Sequence, residues 1–427
     1  MSNWKHTTLG KIASIITGPF GSQLHQSDYV ESGIPIVMPQ NIDDRKINHD
    51  GINYICEKDA LRLKKYRAIE NDILYARRGD IEKHAFINKC DNGVYCGTGC
   101  LRVRVFSQEI DPLFLSFFLN KAETRKWLVT HAVGSNMPNL NTDILAAVPV
   151  SYPPIEQQRQ IARVLNCIDE KITTNNRVND NLRKMARTTF DYWFTQFDFP
   201  NDGGNPYRAS GGSLAWNDVA KKDLPVGWRC TKMASAIEGI RTGLNPRDNF
   251  TLGGGDIRYI TVKNLRTDGS LDYSGCDTIN EAARKIVHRR SDVSVGDILF
   301  ASIAPLGRCY LVQAPPVDWD INESVFSIRS NTAEITTEYL FMHLQSETFI
   351  KEATACSTGS IFKGIRINSL MDSRIVIPPM HILERFSQEV RPIFALQNKL
   401  NTENQNLIQL RDWLLPMLMN GQASVSD

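Results

Sequence analysis

Short apolar runs and longer helical repeats alternate along the chain. Runs rich in β-branched residues, such as Ile34 to Met38, Leu101 to Phe106 and Tyr259 to Val262, are bounded by glycine, aspartate and asparagine. Short runs between turn residues predict strands. After Pro153-Pro154, and again after Pro378-Pro379, apolar residues recur with the period of a helix. The pattern therefore predicts an α+β fold in which each strand-rich region is followed by a long helix.

The same blocks of sequence occur twice along the chain. Ile34 to Ile42 resembles Ile257 to Leu265, and Asn71 to Ala76 resembles Gly296 to Ala301. These pairs, the two Trp-Lys/Arg pairs at Trp4 and Trp228 and the Pro-Pro pairs are all separated by 223 to 225 residues. Because a constant separation over several blocks is the signature of a repeat, the chain is predicted to contain two copies of one unit.

Both long helices show a seven-residue repeat, which is typical of a coiled-coil seam. The predicted seam residues are Ile161, Ile168, Asn175 and Leu182 with Val164, Lys171, Val178 and Met185 in the first helix, and Ile393, Leu400, Leu407 and Leu414 with Leu396, Glu403, Leu410 and Met417 in the second. The two seams are in the same phase as the duplication, so each helix is expected to pair with the other. Polar seam residues would cost stability but fix the register. The alternative is that two ordinary amphipathic helices pack on separate cores.

These signals divide the chain into five predicted segments. They are a first globular domain at 1–150, a central helix at 151–197, a linker at 198–220, a second globular domain at 221–378 and a distal helix at 379–427. The linker is rich in glycine, asparagine and serine, so it is expected to be mobile.

Composition narrows the possible cellular locations. Lys+Arg 49 against Asp+Glu 47 gives a net charge of +2, so any basic surface must be local. No stretch approaches the roughly 18 apolar residues of a membrane helix, and the N-terminus lacks an apolar signal core. Nine cysteines without a dense framework suit reduced thiols. A cytoplasmic protein without a membrane partner is expected.

The sequence lacks the usual cofactor-binding motifs. No glycine run leads into Lys-Ser or Lys-Thr, and neither Gly18 to Gly21 nor Gly253 to Gly255 continues into a dinucleotide or methyl-donor fingerprint. Cys90, Cys96 and Cys100 have irregular spacing and no accompanying CxxC pair, so structural thiols are expected there. A catalytic Cys-His pair stays open, because such residues need not be close in sequence. We expect no bound cofactor, no metal site and no catalytic centre.

Donor and acceptor side chains lie where matching strands of the two copies end. The candidate DNA-binding residues are Gln40, Asn41, Arg77, Arg78, Lys83, Asn136, Lys263, Asn264, Ser302, Arg308 and Lys363. Lysine and arginine supply phosphate contacts, whereas arginine, lysine, asparagine, glutamine and serine read base edges. An ordinary solvated surface is the alternative, and it is the default for the basic run at 62–67.

Three motifs together resemble the specificity subunits of type I restriction-modification enzymes. They are Ile155-Glu-Gln-Gln158 after the Pro-Pro pair, the approach from Gly134 to Asn141, and the ending from Leu414 to Gln422. The resemblance covers essentially the whole chain. It departs from symmetry where Met137-Pro-Asn139 is replaced by Phe362-Lys-Gly364 in the second copy, which puts equal DNA geometry in the two halves in doubt.

The resemblance implies two tandem target-recognition domains held apart by an antiparallel two-helix coiled-coil spacer, with a pseudo-twofold internal repeat. Each domain would read half of a split site in double-stranded DNA. Two methylation subunits and the restriction subunits would be the partners, and they would use S-adenosylmethionine, ATP and Mg²⁺. A non-enzymatic coiled-coil adapter and a stand-alone DNA-modifying enzyme are the alternatives.

Overall fold

The computed structural model describes residues 3–134, 138–356, 364–423 and 425. It divides into two compact units. The first unit comprises Met1–Ile172 and Asn406–Asp427, and the second unit comprises Thr173–Gln405. Both units mix helices and strands, so the predicted α+β character is confirmed.

The first unit contains twelve strands among its described residues. They are β1 (Lys5–Thr8), β2 (Ala13–Thr17), β3 (Tyr29–Val30), β4 (Ile34–Val37), β5 (Ile42–Asp43), β6 (Lys46–Ile47), β7 (Asn53–Ile55), β8 (Ile73–Ala76), β9 (His84–Phe86), β10 (Tyr95–Cys96), β11 (Cys100–Val105) and β12 (Pro149–Tyr152). The helices are α1 (Glu57–Arg62), α2 (Pro112–Leu119), α3 (Ala122–His131), α4 (Thr142–Ala146) and the part of α5 (Ile155–Phe190) that precedes Thr173.

Two four-stranded sheets organise the first unit. One is antiparallel with the order β2-β11-β8-β9, and the other has the order β10-β4-β7-β3, in which β10 runs parallel to β4. The apolar helix α2 packs on the first sheet in a core that includes Tyr75, Phe114 and Phe117. Asp111 begins this helix, because its carboxylate accepts a hydrogen bond from the Phe114 amide at 2.9 Å.

The second unit repeats these elements. Its strands are β13 (Leu214–Asn217), β14 (Lys222–Pro225), β15 (Arg229–Lys232), β16 (Ile237–Thr242), β17 (Ile257–Ile260), β18 (Asp277–Ile279), β19 (Ile298–Ala301), β20 (Cys309–Leu311), β21 (Trp319–Ile321), β22 (Val325–Ser330) and β23 (Arg374–Ile377). Its helices are α6 (Met233–Ala236), α7 (Glu281–Ser291), α8 (Thr337–Leu344), α9 (Glu347–Ala355), α10 (Ile367–Asp372) and the part of α11 (Met380–Met419) that precedes Asn406.

The strand order of the second unit is that of the first. The sheet β16-β22-β19-β20 corresponds to β2-β11-β8-β9, and β17 pairs parallel with β21 and antiparallel with β18, as β4 does with β10 and β7. Strands β8 and β19 and helices α2 and α8 begin 225 residues apart. The duplication seen in the sequence is therefore a duplication of topology.

One glycine is required at the same place in each unit. Gly18 follows β2, and Gly243 follows β16. A Cβ at Gly18 would collide with the carbonyl of Gly97, and a Cβ at Gly243 would collide with the carbonyl of Ile321. Close passage of two backbone segments thus explains both Thr-Gly pairs.

The long helices pair antiparallel within the second unit. Asn175 donates to Asn404 at 2.9 Å, and Asn179 donates to Asn401 at 2.7 Å. Residue numbers rise along one helix as they fall along the other. Asn175 was expected in this seam, and its burial fits that expectation.

The second row of predicted seam positions is displaced in α5. There the buried residues of that row are Leu165, Ile172, Asn179 and Ala186, each one position after the predicted Val164, Lys171, Val178 and Met185. In α11 the predicted Glu403 does contact the partner helix, because its carboxylate accepts a hydrogen bond from Asn175 at 2.8 Å. Met185 is 56% exposed, and Leu396 and Leu410 of α11 are also exposed. Apolar residues lie on two adjacent stripes of these helices, so the repeat alone could not decide which stripe faces the partner.

The segment predicted to be a mobile linker is folded. Phe199 stacks on Tyr207 and on Trp228, with ring centroids 4.6 and 5.2 Å apart. Strand β13, which lies inside the predicted linker, pairs with β14. Aromatic anchors therefore outweigh the turn-rich composition. Within the described ranges, no helix is long and apolar enough to cross a membrane.

Candidate nucleic-acid interface

An identical turn follows β4 in the first unit and β17 in the second. The Asn41 amide accepts from the Met38 N–H and donates to the Asn48 carbonyl, both at 3.1 Å. Asn264 accepts from the Thr261 N–H and donates to the Asp272 carbonyl, both at 2.9 Å. Each asparagine therefore closes its turn with both ends of its side chain.

The two asparagines and their neighbours have different roles. Asn41 and Asn264 are 1% and 2% exposed, and burial with both groups already bonded argues against direct contact with DNA. We therefore assign them to shaping the turn, which corrects the sequence-based expectation. Gln40 and Lys263, one residue earlier, are exposed. Lys263 has Asp277 3.7 Å from its ammonium group.

The turn between β8 and β9 carries the first unit's predicted arginines. Arg77 donates from Nε to Asn139 at 3.1 Å, and its guanidinium lies 5.1 Å from the ring centroid of Phe20. Arg78 is exposed. Lys83 ends the turn, with its ammonium group 3.1 Å from Asp80 and 3.6 Å from Asp43.

These turns of the first unit adjoin one another. The Arg77 N–H donates to the Gly99 carbonyl at 2.8 Å, and Gly99 lies against Pro39, the first residue of the turn that holds Gln40. Phe20, which is 52% exposed, was missed because Gly18 to Gly21 appears in the sequence only as a turn. We call Phe20, Gln40, Arg77, Arg78 and Lys83 the first surface.

The corresponding turn of the second unit differs in chemistry. Ser302 matches Arg77, because the Ile365 N–H donates to Ser302 as the Leu140 N–H donates to Arg77, both at 2.9 Å. Ser302 is buried, and its hydroxyl donates to the Ser324 carbonyl at 2.7 Å. That hydroxyl is therefore occupied in holding the turn rather than presented to a ligand.

Arg308 ends this turn at the position that matches Lys83. Its guanidinium donates to the carbonyls of Leu265 and Pro305 at 3.2 and 3.3 Å. Burial lowers the pKa of Arg308. The side chain lines a cavity of the second unit. Two other candidates, Asn136 and Lys363, lie outside the described residues.

A buried ion pair supports the sheet beneath each turn. Asp72 binds Arg104 through two hydrogen bonds of 2.7 and 2.6 Å, and Asp297 binds Arg329 at 2.7 and 2.9 Å. These hydrogen bonds raise the pKa of both arginines. Each aspartate also accepts a hydrogen bond from the backbone N–H of the residue three positions earlier, Ile69 or Ser294. The pairs clamp β8 to β11 and β19 to β22, which fixes the strands that carry the turns.

Further exposed cations lie on α7 of the second unit. Lys285, Arg289 and Arg290 are exposed, and none of the three is in an ion pair within the described part of the unit. Their neighbour His288 contacts Asp320 at 3.0 Å. Such uncompensated charges suit phosphate contacts.

The cysteine group of the first unit does not form a metal site in the described structure. Cys96 and Cys100 are buried and Cys90 is exposed. Burial raises the pKa of the Cys96 thiol to about 12. Over residues 3–134, 138–356 and 364–423, no three His, Cys, Asp or Glu side chains are grouped to hold a metal ion.

Comparisons with known proteins show similarity to one class of protein. Residues 1–184 match the family described as the type I restriction modification DNA specificity domain. The specificity subunit of the type I restriction enzyme MjaIX of Methanocaldococcus jannaschii is 26% identical over 315 residues, which cover 73% of this chain and 69% of the relative. The HindI specificity subunit of Haemophilus influenzae is 22% identical, and the match covers 99% of this chain and 100% of the relative.

A solved structure shares the fold. The type I restriction-modification S subunit from M. genitalium superposes with a TM-score of 0.58 at 14% identity, over 97% of this chain and 96% of that one. Residues 1–184 thus carry this family's DNA specificity domain, and the chain is similar over most of its length to type I restriction-modification specificity subunits, the family that the sequence motifs resemble.

Proposed function

We propose that this chain is the DNA-recognition subunit of a type I restriction-modification complex and that each unit reads one half of a bipartite target. The observation that carries the proposal is the repeated scaffold with different exposed side chains. The same turn exposes Gln40 in one unit and Lys263 in the other, and Arg77 is replaced by Ser302. Equal scaffolds with unequal donors suit two different half-sites.

The exposed side chains suggest a division of labour on the first surface. Arginine is suited to the O6 and N7 of guanine, and glutamine to adenine. Arg78 and Gln40 are therefore our candidates for base contacts. Arg77, held by Asn139 and Phe20, would be presented in one orientation. Lys83, held between two carboxylates, would serve as a phosphate contact.

The chemistry belongs to partner subunits in this proposal. Two methylation subunits would bind S-adenosylmethionine, and restriction subunits would use ATP and Mg²⁺. The chain itself would contribute recognition and scaffolding without a catalytic centre. The antiparallel helices would act as a spacer between the two recognition domains.

The direct test measures binding and turnover by the purified chain. With methylation subunits added, the chain should bind a cognate duplex at least 1,000-fold more tightly than random DNA, the lower end for specific DNA-binding proteins. Alone, it should transfer no methyl group and cleave no DNA. Failure to bind DNA both with and without methylation subunits would favour the adapter alternative. Methylation or cleavage of DNA by the pure chain would favour the stand-alone enzyme.

A second experiment tests the spacer. Inserting four residues into α5 near Asn175 and four into α11 near Asn404 would lengthen the pair by about 6 Å. At about 3.4 Å per base pair, the spacer of the methylated site should grow by one or two base pairs, with both half-sites unchanged. The same four residues inserted after Gly203, outside both helices, form the control. An unchanged spacing in the helix variant would contradict the spacer role.

A further inference from the structure

The second unit contains a partly open cavity of about 280 Å³. It lies between the turn from Ser302 to Arg308, helices α8 and α9, and the portions of α5 and α11 in this unit. Apolar side chains, including Leu306, Phe341, Ile350 and Phe394, form one part of its wall, and polar or charged side chains form the rest. All the lining residues belong to the second unit.

The equivalent place in the first unit is filled by the chain itself. The positions that match Phe341 and Phe394 are Ser116 and Asp169, both of which bind Arg45. Arg45 comes from the turn between β5 and β6 and packs its guanidinium 3.3 Å from the centroid of the Phe117 ring. In the second unit Gly269, which has a positive φ as Arg45 does, takes the position of Arg45 and lies beside Phe341, so no side chain enters from this position.

The cavity carries cations whose charge is incompletely balanced. Arg308 donates only to two carbonyl oxygens among the described residues. Arg183 pairs with Asp180 at 2.5 Å through one nitrogen of its guanidinium, but its Nε is buried without an acceptor in the described part of the unit. Both arginines line the cavity. The partly buried guanidinium of Arg308 has no carboxylate partner among the described residues, so an anion would add a charge-assisted hydrogen bond there.

The two carboxylates of the wall are already engaged. Asp191 lies 3.9 Å from Arg187, which also binds Glu347 at 2.9 Å. Asp268 accepts from the backbone N–H and the hydroxyl of Ser270 at 2.9 and 2.5 Å. Neither carboxylate forms an ion pair with Arg308 within the described chain. The wall therefore combines an apolar surface with an available positive charge.

We propose that this cavity is a binding site for a small amphiphilic anion, with an apolar body against Phe341 and Phe394 and an acidic group against Arg308. An apolar cavity of about 150 Å³ is large enough for benzene. The cavity here is roughly twice that size, so it suits a body of about twelve heavy atoms bearing one carboxylate. Arg308, one of the candidate DNA-binding residues, is thereby assigned to the cavity rather than to a DNA contact.

The test uses 2-naphthoate as the probe and 2-naphthalenemethanol as its neutral analogue. Calorimetric titration of the full chain should show saturable binding of the anion and weaker binding of the alcohol. Arg308→Gln should weaken the binding of 2-naphthoate by about 10- to 100-fold, which is the effect of one charge-assisted hydrogen bond. The affinity for the alcohol should stay nearly unchanged.

Filling the cavity provides the second arm. Ile350→Trp on α9 and Leu306→Trp in the turn should abolish binding of both probes. Thr348→Trp is the matched control, because Thr348 is exposed on the same helix and does not line the cavity. Thermal melts monitor folding, and either filling variant alone suffices if the other does not fold.

Several outcomes would overturn the proposal. They are no binding of 2-naphthoate at millimolar concentration, equal binding by the filled variants, or equal affinity for the alcohol with no effect of Arg308→Gln. Binding should also persist when methylation subunits are added. If the methylation subunits abolished binding of 2-naphthoate, the cavity would be assigned to a side chain of the partner protein instead.

Discussion

The same place in the two units is filled in opposite ways. In the first unit Arg45 binds Ser116 and Asp169, and Arg411 adds a second bond to Asp169 at 3.2 Å. In the second unit the positions of Asp169 and Arg411 are held by Phe394 and Ala186, and both line a cavity. One strand order thus accommodates a charged interior and an apolar, partly empty one.

The difference shows what the repeat constrains and what it leaves free. Burial lowers the pKa of Arg45 to about 10, although Asp169 and Asp44 oppose that shift. Burial would also lower the pKa of Arg411, but the neighbouring carboxylates outweigh it and raise the pKa. The charged network is costly to bury and costly to break. It holds a single arrangement, whereas an apolar wall tolerates an empty volume.

The largest expected effect is the loss of Arg45. Arg45→Ala would remove one of the two arginines that bind the largely buried Asp169 carboxylate. The free energy of unfolding of the first unit should therefore fall by about 3 to 5 kcal/mol. Urea unfolding, followed by hydrogen exchange of peptides from each unit, provides the measurement.

Ser270→Ala is the control for this substitution, because Ser270 lies in the corresponding turn of the second unit, directly after Gly269, the counterpart of Arg45. It should cost less than about 1.5 kcal/mol, the value of an ordinary hydrogen bond. Equal losses at the two positions would mean that the network does not distinguish the units.

Acid should expose a second difference inside the same core. His84 lies beside this network, with Nε2 3.1 Å from the Ser116 hydroxyl, and burial lowers its pKa from 6.5 to about 3. As the pH falls below 6.5, the unfolded chain binds a proton that the folded unit rejects, so stability is lost. Between pH 6.5 and 4.5 the loss should be about 2 to 3 kcal/mol.

His84→Phe should remove that part of the pH dependence from the first unit only. The second unit has its own buried histidine, His343, whose pKa burial lowers to about 4, so its peptides report an unchanged acid response. Urea unfolding at a series of pH values is the test. A pH slope in the first unit that survives the substitution would exclude His84 as its source.

The smallest expected effect concerns the paired turns. If Lys263 contacts phosphate, Lys263→Gln should reduce the slope of log affinity against log salt by about 0.9. This corresponds to a roughly three- to fourfold smaller loss of affinity between 50 and 200 mM salt. Gln40→Ala in the matching turn should leave the slope unchanged. Equal slopes for wild type and Lys263→Gln would remove Lys263 from the phosphate contacts.

The repeat and the turns could be read from the sequence because local signals carry them. The blocks at Asn71 to Ala76 and Gly296 to Ala301 correspond to strands β8 and β19 with the two residues that precede each strand. The two Thr-Gly pairs mark places where two backbone segments pass closely. The aspartates of the repeated blocks, Asp72 and Asp297, form the ion pairs with Arg104 and Arg329. Such features depend on a few neighbouring residues.

Features that depend on distant partners could not be read in this way. Asn41 and Ser302 have the chemistry of base-reading residues, yet their hydrogen bonds to Asn48 and Ser324 hold turns together. No sequence pattern distinguishes Arg45, because its partner Asp169 is far along the chain. In α5 one row of buried seam residues lies one position after the predicted row. Two adjacent stripes of this helix carry apolar residues, so the repeat did not show which stripe faces the partner helix.

The central claim is that two equal scaffolds read two different half-sites, and one measurement tests it most directly. The double variant Arg77→Ala, Arg78→Ala is assembled with methylation subunits, and the methylated sites are mapped on a random DNA library beside those of the wild type. The account predicts that one half-site becomes degenerate, with about 1 to 3 kcal/mol of discrimination lost per base-reading pair, while the other half and the spacing stay the same. Equal changes in both half-sites, or an unchanged target, would contradict it.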